Sequence, residues 1–230
     1  MSYDFSHYRT SDMERKLAVA NFYPLDVMVT GVTGAGKSST LNALFEKIVA
    51  TVGDGVDPET MELDTYRLNN ALRLWDTPGL GDGVERDIRH QRNLIDLLRT
   101  TYCLDNRNYG FIDLALVVIE GSNRDMGTTY RLLNDVIIPN IQPDRIIVAI
   151  NQADIAMKGR HWDHESSQPD NILREFLDEQ ACSVQRRIHD TTGVTIRRPV
   201  CYSALYGYGL RKVFDAIVDQ MPVERRPLAA

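Results

Sequence analysis

A chain of 230 residues, 43% of them hydrophobic, is long enough to bury a large core and suits one α/β domain. Its 26 Lys and Arg against 32 Asp and Glu leave a net charge of −6, which argues against non-specific nucleic-acid binding. Cys103, Cys182 and Cys201 stand far apart without C-x-x-C spacing, which excludes a disulfide framework or zinc site and makes a reducing cytoplasm the default.

The N-terminus, MSYDFSHYRTSDMERK, is polar and charged, unlike a secretory signal. No apolar run approaches the ~18 residues of a membrane span. Ser11 and Glu14 have the spacing of a capping box ahead of a short helix over Asp12 to Asn21, and Pro24 separates it from a first strand. That strand, around Val27-Met28-Val29, breaks into Gly31-Val32-Thr33-Gly34-Ala35-Gly36-Lys37-Ser38. Leu41, Leu44 and Phe45 then repeat at the spacing of one helix face, in a helix expected to run to Val49.

Strand, glycine-rich turn and helix are the context that the G-x-x-x-x-G-K-[ST] phosphate-binding motif requires. Its glycines let consecutive N–H groups curl around a phosphate at a helix N-terminus. Candidate phosphate contacts are therefore Gly31, Thr33, Gly34, Ala35, Gly36, Lys37, Ser38 and Ser39. Lys37 brings a full charge to the β- and γ-phosphates, and the Ser38 hydroxyl is a hard oxygen ligand for Mg²⁺.

A polar stretch without periodicity follows, Ala50 to Asp64. Tyr66 to Leu68 and Ala71 to Trp75 then read as strands joined at Asn69-Asn70, a link so short that it implies an antiparallel hairpin. Past TPGLGDG, Val84, Ile88, Ile95, Leu98 and Tyr102 keep helical spacing. Ile112 to Ile119 has the unbroken apolar character, apart from Asp113, of a strand covered on both faces. A helix carrying Met126, Tyr130, Leu133 and Ile137 stops at Pro139, and Arg145 to Ile150 is the next buried strand. Ile172, Phe176, Val184 and Ile188 mark a helix closed by Gly193, Val200 to Ser203 a strand, and Leu210 to Met221 a last helix ended by Pro222. This alternation predicts an α/β fold: a mostly parallel six-stranded sheet with one antiparallel strand and helices on both faces. The pairs Arg186-Arg187, Arg197-Arg198 and Arg225-Arg226 are expected on solvated faces.

Three further motifs fall at strand ends, where such folds bind ligands. Asp76-Thr77-Pro78-Gly79 offers a carboxylate to a Mg²⁺ shell and a glycine whose N–H can approach a γ-phosphate. Asn151-Gln152-Ala153-Asp154 offers a carboxylate that pairs both N1–H and the exocyclic amine of guanine, and adenine lacks that donor pair. Ser203-Ala204-Leu205 offers backbone N–H to the guanine O6. The stretch His161-Trp162-Asp163-His164-Glu165 has the look of a metal cluster, but an ordinary exposed loop is the better reading.

In this order the motifs resemble the translation-factor-related GTPases and, within them, the Era-like group, over about Asp26 to Met221. The likeness is nearest to small bacterial GTP-binding proteins of the YfjP/YeeP type, carried by GVTGAGKSSTLNALF, WDTPGLGDG and YSAL. The resemblance implies a three-layer P-loop NTPase fold (a Ras-like G domain) that hydrolyses GTP to GDP with Mg²⁺ and acts as a nucleotide switch. Residues 1–24 would be a helical extension packed on a G domain of residues 25–222, with 223–230 a tail. Lys37, Thr60 and Gly79 would be catalytic, and Ser38, Thr60 and Asp76 would serve the metal. Thr60, in VDPETMEL, is the choice for the switch I threonine, with Thr65 and Thr51 the alternatives. Asn151, Gln152, Asp154, Ser203, Ala204 and Leu205 would form the guanine site.

Three positions depart from the family pattern. Gln152 replaces the lysine of the usual base motif, so guanine specificity with weaker affinity is expected. Leu80 stands where Ras-type GTPases carry a water-orienting glutamine. Gly34 stands where some relatives carry an asparagine that recruits K⁺. A second class of function, a slow or non-catalytic GTP- or GDP-dependent assembly module like septins or immunity-related GTPases, therefore stays open, and an ATP-using enzyme is disfavoured by Asp154. The expected partner is an unknown protein effector or a second copy across the nucleotide face, with ribosome or RNA implied by family resemblance alone.

Overall fold

The computed structural model describes residues 5–45, 65–81, 83–104, 106–121 and 126–226, with only the backbone of 65 and 104. In chain order the elements are α1 (Thr10–Ala20), β1 (Leu25–Gly31), α2 (Lys37–Phe45), β2 (Thr65–Arg67), β3 (Leu72–Asp76) and α3 (Val84–Arg99). There follow β4 (Thr101–Leu104), β5 (Arg107–Gly110), β6 (Leu114–Glu120) and α4 (Gly127–Arg131), which continues as a π-helical turn, Leu132–Ile137. The chain then forms β7 (Ile146–Asn151), β8 (Trp162–Asp163), β9 (Gln168–Pro169), α5 (Asn171–Thr192), β10 (Val200–Cys201) and α6 (Leu210–Asp219).

Six strands form one sheet in the order β10-β7-β6-β1-β3-β2, all parallel except β2, as the alternation of elements predicts. The reversal at β2 follows from its short link to β3, in which Asn69 Oδ1 accepts the N–H groups of Ala71 and Leu72 at 2.8 and 3.1 Å. Successive side chains of β1 serve opposite faces. Val27 and Val29 join Met13 and Leu17 of α1, Leu41 of α2 and Phe214 of α6. Met28 joins Leu94 of α3, Leu133 and Ile188 on the other face. Each such side chain, fully buried, stabilises by about 1.5–3 kcal/mol. Among the described residues no helix is long and apolar enough to cross a membrane.

Several sequence expectations need correction. The first helix starts at Thr10, so Ser11 lies inside it; its N-cap is Arg9, which makes no side-chain cap bond. The proposed capping box does not form. Tyr102 is not on the α3 face: the helix ends at Arg99, and Tyr102 lies in β4, paired with Tyr109 in a hairpin that periodicity did not reveal. Val84 and Ile88 are exposed, and Leu94, Leu97 and Leu98 make the buried face instead. Among the described residues no three His, Cys, Asp or Glu side chains converge to hold a metal. His161 pairs with Asp170, and His164 contacts the Tyr206 hydroxyl.

The largest departure lies under the sheet, at the strand ends remote from the glycine-rich loop. Arg225 and Arg226, expected in solvent, are 8% and 4% exposed. Arg225 Nη1 meets Asp113 Oδ2 at 2.9 Å, and Asp113 Oδ2 also accepts the Asp26 N–H at 3.0 Å. Asp26 is held by Arg73 at 2.8 and 2.9 Å and by Trp75 Nε1 at 2.9 Å. Arg226 donates to the carbonyls of Ile112, Asn140 and Leu98. Arg225 and Arg226 are thereby built into the base of the sheet.

Candidate functional site

At the opposite end, glycines permit what the chain does between β1 and α2. A Cβ on Gly31 would lie 2.2 Å from the Val118 carbonyl oxygen of β6, and one on Gly36 would lie 2.2 Å from Asn151 Nδ2. Gly34 and Gly36 turn the loop at φ of +84° and +86°, a region L side chains rarely occupy. The loop closes onto the α2 N-terminus, whose N–H groups and dipole favour an anion. Lys37 is buried there, its Nζ donating to the Gly31 and Val32 carbonyls at 3.3 and 3.2 Å. Thr33, Gly34, Lys37, Ser38, Asp76 and Gly79 are among the residues lining a cavity of about 570 Å³.

The end of β3 comes to this loop from the side. Ser38 Oγ donates to Asp76 Oδ2 at 3.2 Å, so two of the three residues expected to serve the metal stand together, both with hard oxygen donors. Thr77 Oγ1 donates to Val29 O at 2.8 Å and fixes the turn. Gly79 then passes so close to the loop that a Cβ would lie 2.6 Å from Thr33 Oγ1 and 2.8 Å from Lys37 Nζ. Thr60 and Thr51 lie outside the described residues; Thr65 sits in β2 opposite Trp75.

Leu80 points away from the cavity. It is 1% exposed, within a cluster containing Met28, Trp75, Leu94 and Phe111. Its backbone bridges to Val32: the Thr33 N–H donates to Leu80 O at 2.7 Å, and the Leu80 N–H donates to Gly31 O at 3.4 Å. Helix α3 grips the same loop, with Asp87 Oδ1 accepting the Gly81 N–H and His90 Nδ1 meeting Gly79 O, both at 2.8 Å.

The base-recognition motifs meet at Asn151. Its Nδ2 donates to Ala35 O and its Oδ1 accepts the Ala204 N–H, both at 3.0 Å, so one side chain joins the phosphate loop to the loop after β10. Gln152, at φ +65°, donates from Nε2 to Gly34 O at 3.0 Å. Asp154 is buried in the segment after β7, and the Ala153 N–H donates to Tyr202 O at 3.0 Å. Ser203 is wholly buried, its Oγ accepting the Tyr206 N–H at 3.3 Å, whereas the Leu205 side chain is 77% exposed. The Ala204 N–H is thus directed at Asn151.

The sequence reading missed two supports. Tyr202 OH lies 2.6 Å from Thr40 Oγ1, which donates to Gly36 O at 2.7 Å, so the residue just after β10 braces α2 through a buried hydroxyl pair. Burial pushes the Tyr202 hydroxyl well above the usual tyrosine range, which keeps it a neutral donor. Trp162, from the β8–β9 hairpin, packs on Tyr206 and Tyr208 at 5.3 and 5.6 Å and backs the base loop. Neither is legible locally, because each pairs residues distant in the chain.

A family model described as "50S ribosome-binding GTPase" matches residues 26–152. The chain is 28% identical over 203 residues to the uncharacterised Escherichia coli K12 protein YfjP, covering 85% of this chain and 62% of that one. It is 26% identical over 196 residues to translocase of chloroplast 132 of Arabidopsis thaliana, covering 77% of this chain and 15% of that protein. Its fold is similar to that of Arabidopsis thaliana Toc33, crystallised with Mg²⁺ and GMPPNP, with a TM-score of 0.59 at 14% identity over all of both chains.

Proposed function

The chain belongs to the 50S ribosome-binding GTPase family, and from that premise we propose that it binds Mg²⁺·GTP, hydrolyses it slowly to GDP and phosphate, and works as a cytoplasmic nucleotide switch. The observation that carries this reading is the convergence of Lys37 and the Ser38–Asp76 pair on one cavity, with Asn151 joining that loop to the base-recognition loop. Lys37 and the loop N–H groups hold the β- and γ-phosphates. Ser38 and Asp76, with Thr60 from switch I, hold the metal and its water shell. Mg²⁺, when bound, neutralises charge on the phosphate oxygens. Gly79 presents its backbone to the γ-phosphate, and Asp154 selects guanine. Asn151 and Ala204 brace one another, and the Gln152 amide, tied to Gly34, lays its stem where the purine lies.

Asp154→Asn tests the base assignment. Losing two charge-assisted hydrogen bonds is expected to weaken GTP binding by about 10²-fold or more and to shift preference towards xanthosine nucleotides, whose carbonyl suits an amide donor. Competition calorimetry reads both effects. Equal wild-type affinity for ATP and GTP would remove the guanine assignment.

A second reading, assembly across the nucleotide face, is supported by exposed apolar side chains on the loops and helix that flank the site: Val84 and Ile88 on α3, and Ile155 and Leu205 in the base loops. Toc33, whose fold is similar, is a protein for which a dimerisation-deficient variant has been crystallised. Gly34 offers no side chain to ligate K⁺. Single-turnover hydrolysis is therefore expected to be equal in KCl and NaCl and to accelerate only at high protein concentration or with a partner. Fast hydrolysis by a dilute monomer would refute this.

A further inference from the structure

We propose that His90 is a positioning residue for GTP hydrolysis, holding the Gly79 backbone in the direction from which it meets the γ-phosphate; this rests on the GTPase reading above. A carbonyl oxygen only accepts, so the 2.8 Å contact with Gly79 O means that His90 Nδ1 carries the proton. The peptide between Gly79 and Leu80 is then gripped at both ends, its C=O by His90 and its N–H by Gly31 O at 3.4 Å. Gly79 is where such a grip has most effect. With no side chain it has the widest backbone freedom of any residue, and yet it passes hard against Thr33 and Lys37.

The burial of Leu80 makes this bond matter. Since the Leu80 side chain lies inside the apolar cluster, the Gly79–Leu80 segment offers its backbone to the reacting phosphate and its attacking water. Aligning that backbone falls to contacts from outside the loop. Asp87 fixes the far side through the Gly81 N–H, and His90 fixes the near side. Both come from one helix, α3, so the loop is set by the position of that helix. A partner that moved α3 would change the hydrolysis rate without touching the nucleotide.

The test uses three variants of the full chain: His90→Ala, His90→Asn and His90→Gln. The asparagine Nδ2 stands where His Nδ1 stood, whereas the glutamine amide lies one bond further out. Single-turnover hydrolysis at saturating GTP, affinities for GDP and a non-hydrolysable GTP analogue, and unfolding midpoints are measured together. The expected result is a rate about 10-fold lower in His90→Ala and His90→Gln, the equivalent of one hydrogen bond, with largely restored turnover in His90→Asn. GDP affinity should be unchanged throughout. A wild-type rate in His90→Ala overturns the proposal. So does equal slowing in His90→Ala and His90→Asn with matching losses of unfolding midpoint, the pattern of a merely structural residue. A wild-type chain that binds no Mg²⁺·GTP removes the GTPase reading, and this proposal with it; wild-type binding is therefore measured first.

Discussion

Leu80→Gln, the substitution that would restore the residue of Ras-type GTPases, is expected to lower stability by about 2–4 kcal/mol and to leave hydrolysis no faster. Leu80 is 1% exposed, among Met28, Trp75, Leu94 and Phe111, and none of these side chains offers a partner within that cluster to a second amide. Trp75 Nε1 is already committed to Asp26. A glutamine left inside would therefore be desolvated and unpaired. Expelling it would require turning the Leu80 backbone, which is fixed by the bridge to Val32 and by bonds to Thr33 and Gly31. Either way the amide does not reach the cavity in the geometry that orients water. Leu80→Met conserves volume and chemistry and should lose less than about 1.5 kcal/mol, which makes it the control. Urea unfolding and single-turnover hydrolysis on the three proteins decide the matter. A tenfold gain in rate with an unchanged midpoint would show that this position faces the nucleotide after all.

That expectation could not be written from the sequence, and the reason is instructive. Leu80 was legible as a residue lacking a hydrogen-bonding group, but not as a core residue, because a loop position has no periodicity to give its direction. The motifs themselves were legible because each is continuous and sits at the end of a strand whose apolar run is plain, as with Val27 to Val29 before the loop and Arg145 to Ile150 before Asn151. The mostly parallel six-stranded sheet with one antiparallel strand followed from the same alternation, whereas its strand order did not. What joins the motifs was not legible. Asn151 reaches Ala35 across 116 positions, and Tyr202 reaches Thr40 across 162. The β4–β5 hairpin was missed because its residues, Thr101 to Gly110, are half polar and follow a helix whose spacing Tyr102 happens to continue. The switch I choice of Thr60 lies outside the described residues and remains a proposal.

Arg225 was misread for a related reason. An Arg-Arg pair beyond Pro222 has every local mark of a solvated tail, and the partners that bury Arg225, Asp113 just before β6 and the Tyr23 carbonyl, lie far away in the chain. Arg225→Ala is expected to destabilise the domain by about 3–5 kcal/mol near pH 8, because it strands Asp113 in the interior. The loss should depend on pH in a defined direction. Burial pushes the Asp113 carboxyl up to about 7, opposed mainly by Arg225, and its Oδ1 is buried without a partner. A carboxyl whose folded pKa is raised binds more protons folded than unfolded between about pH 4 and 7. Its contribution to stability therefore falls as pH rises through that window. Removing Arg225 raises the folded value further, so the variant keeps losing stability above pH 7, where the wild type has levelled off. The difference between the two proteins should grow from pH 5.5 to pH 8. Part of the loss will be independent of pH, because Arg225 also donates to Tyr23 O at 3.0 Å and stacks on Phe22 and Tyr102 at 4.5 and 4.8 Å. Adding Asp113→Asn to the variant removes the titrating group and should flatten the dependence while leaving that constant part. Urea unfolding across the pH range measures all three proteins. A difference that stays level with pH, or shrinks towards pH 8, would mean that removing Arg225 does not raise the Asp113 carboxyl within this range, and would overturn the expectation.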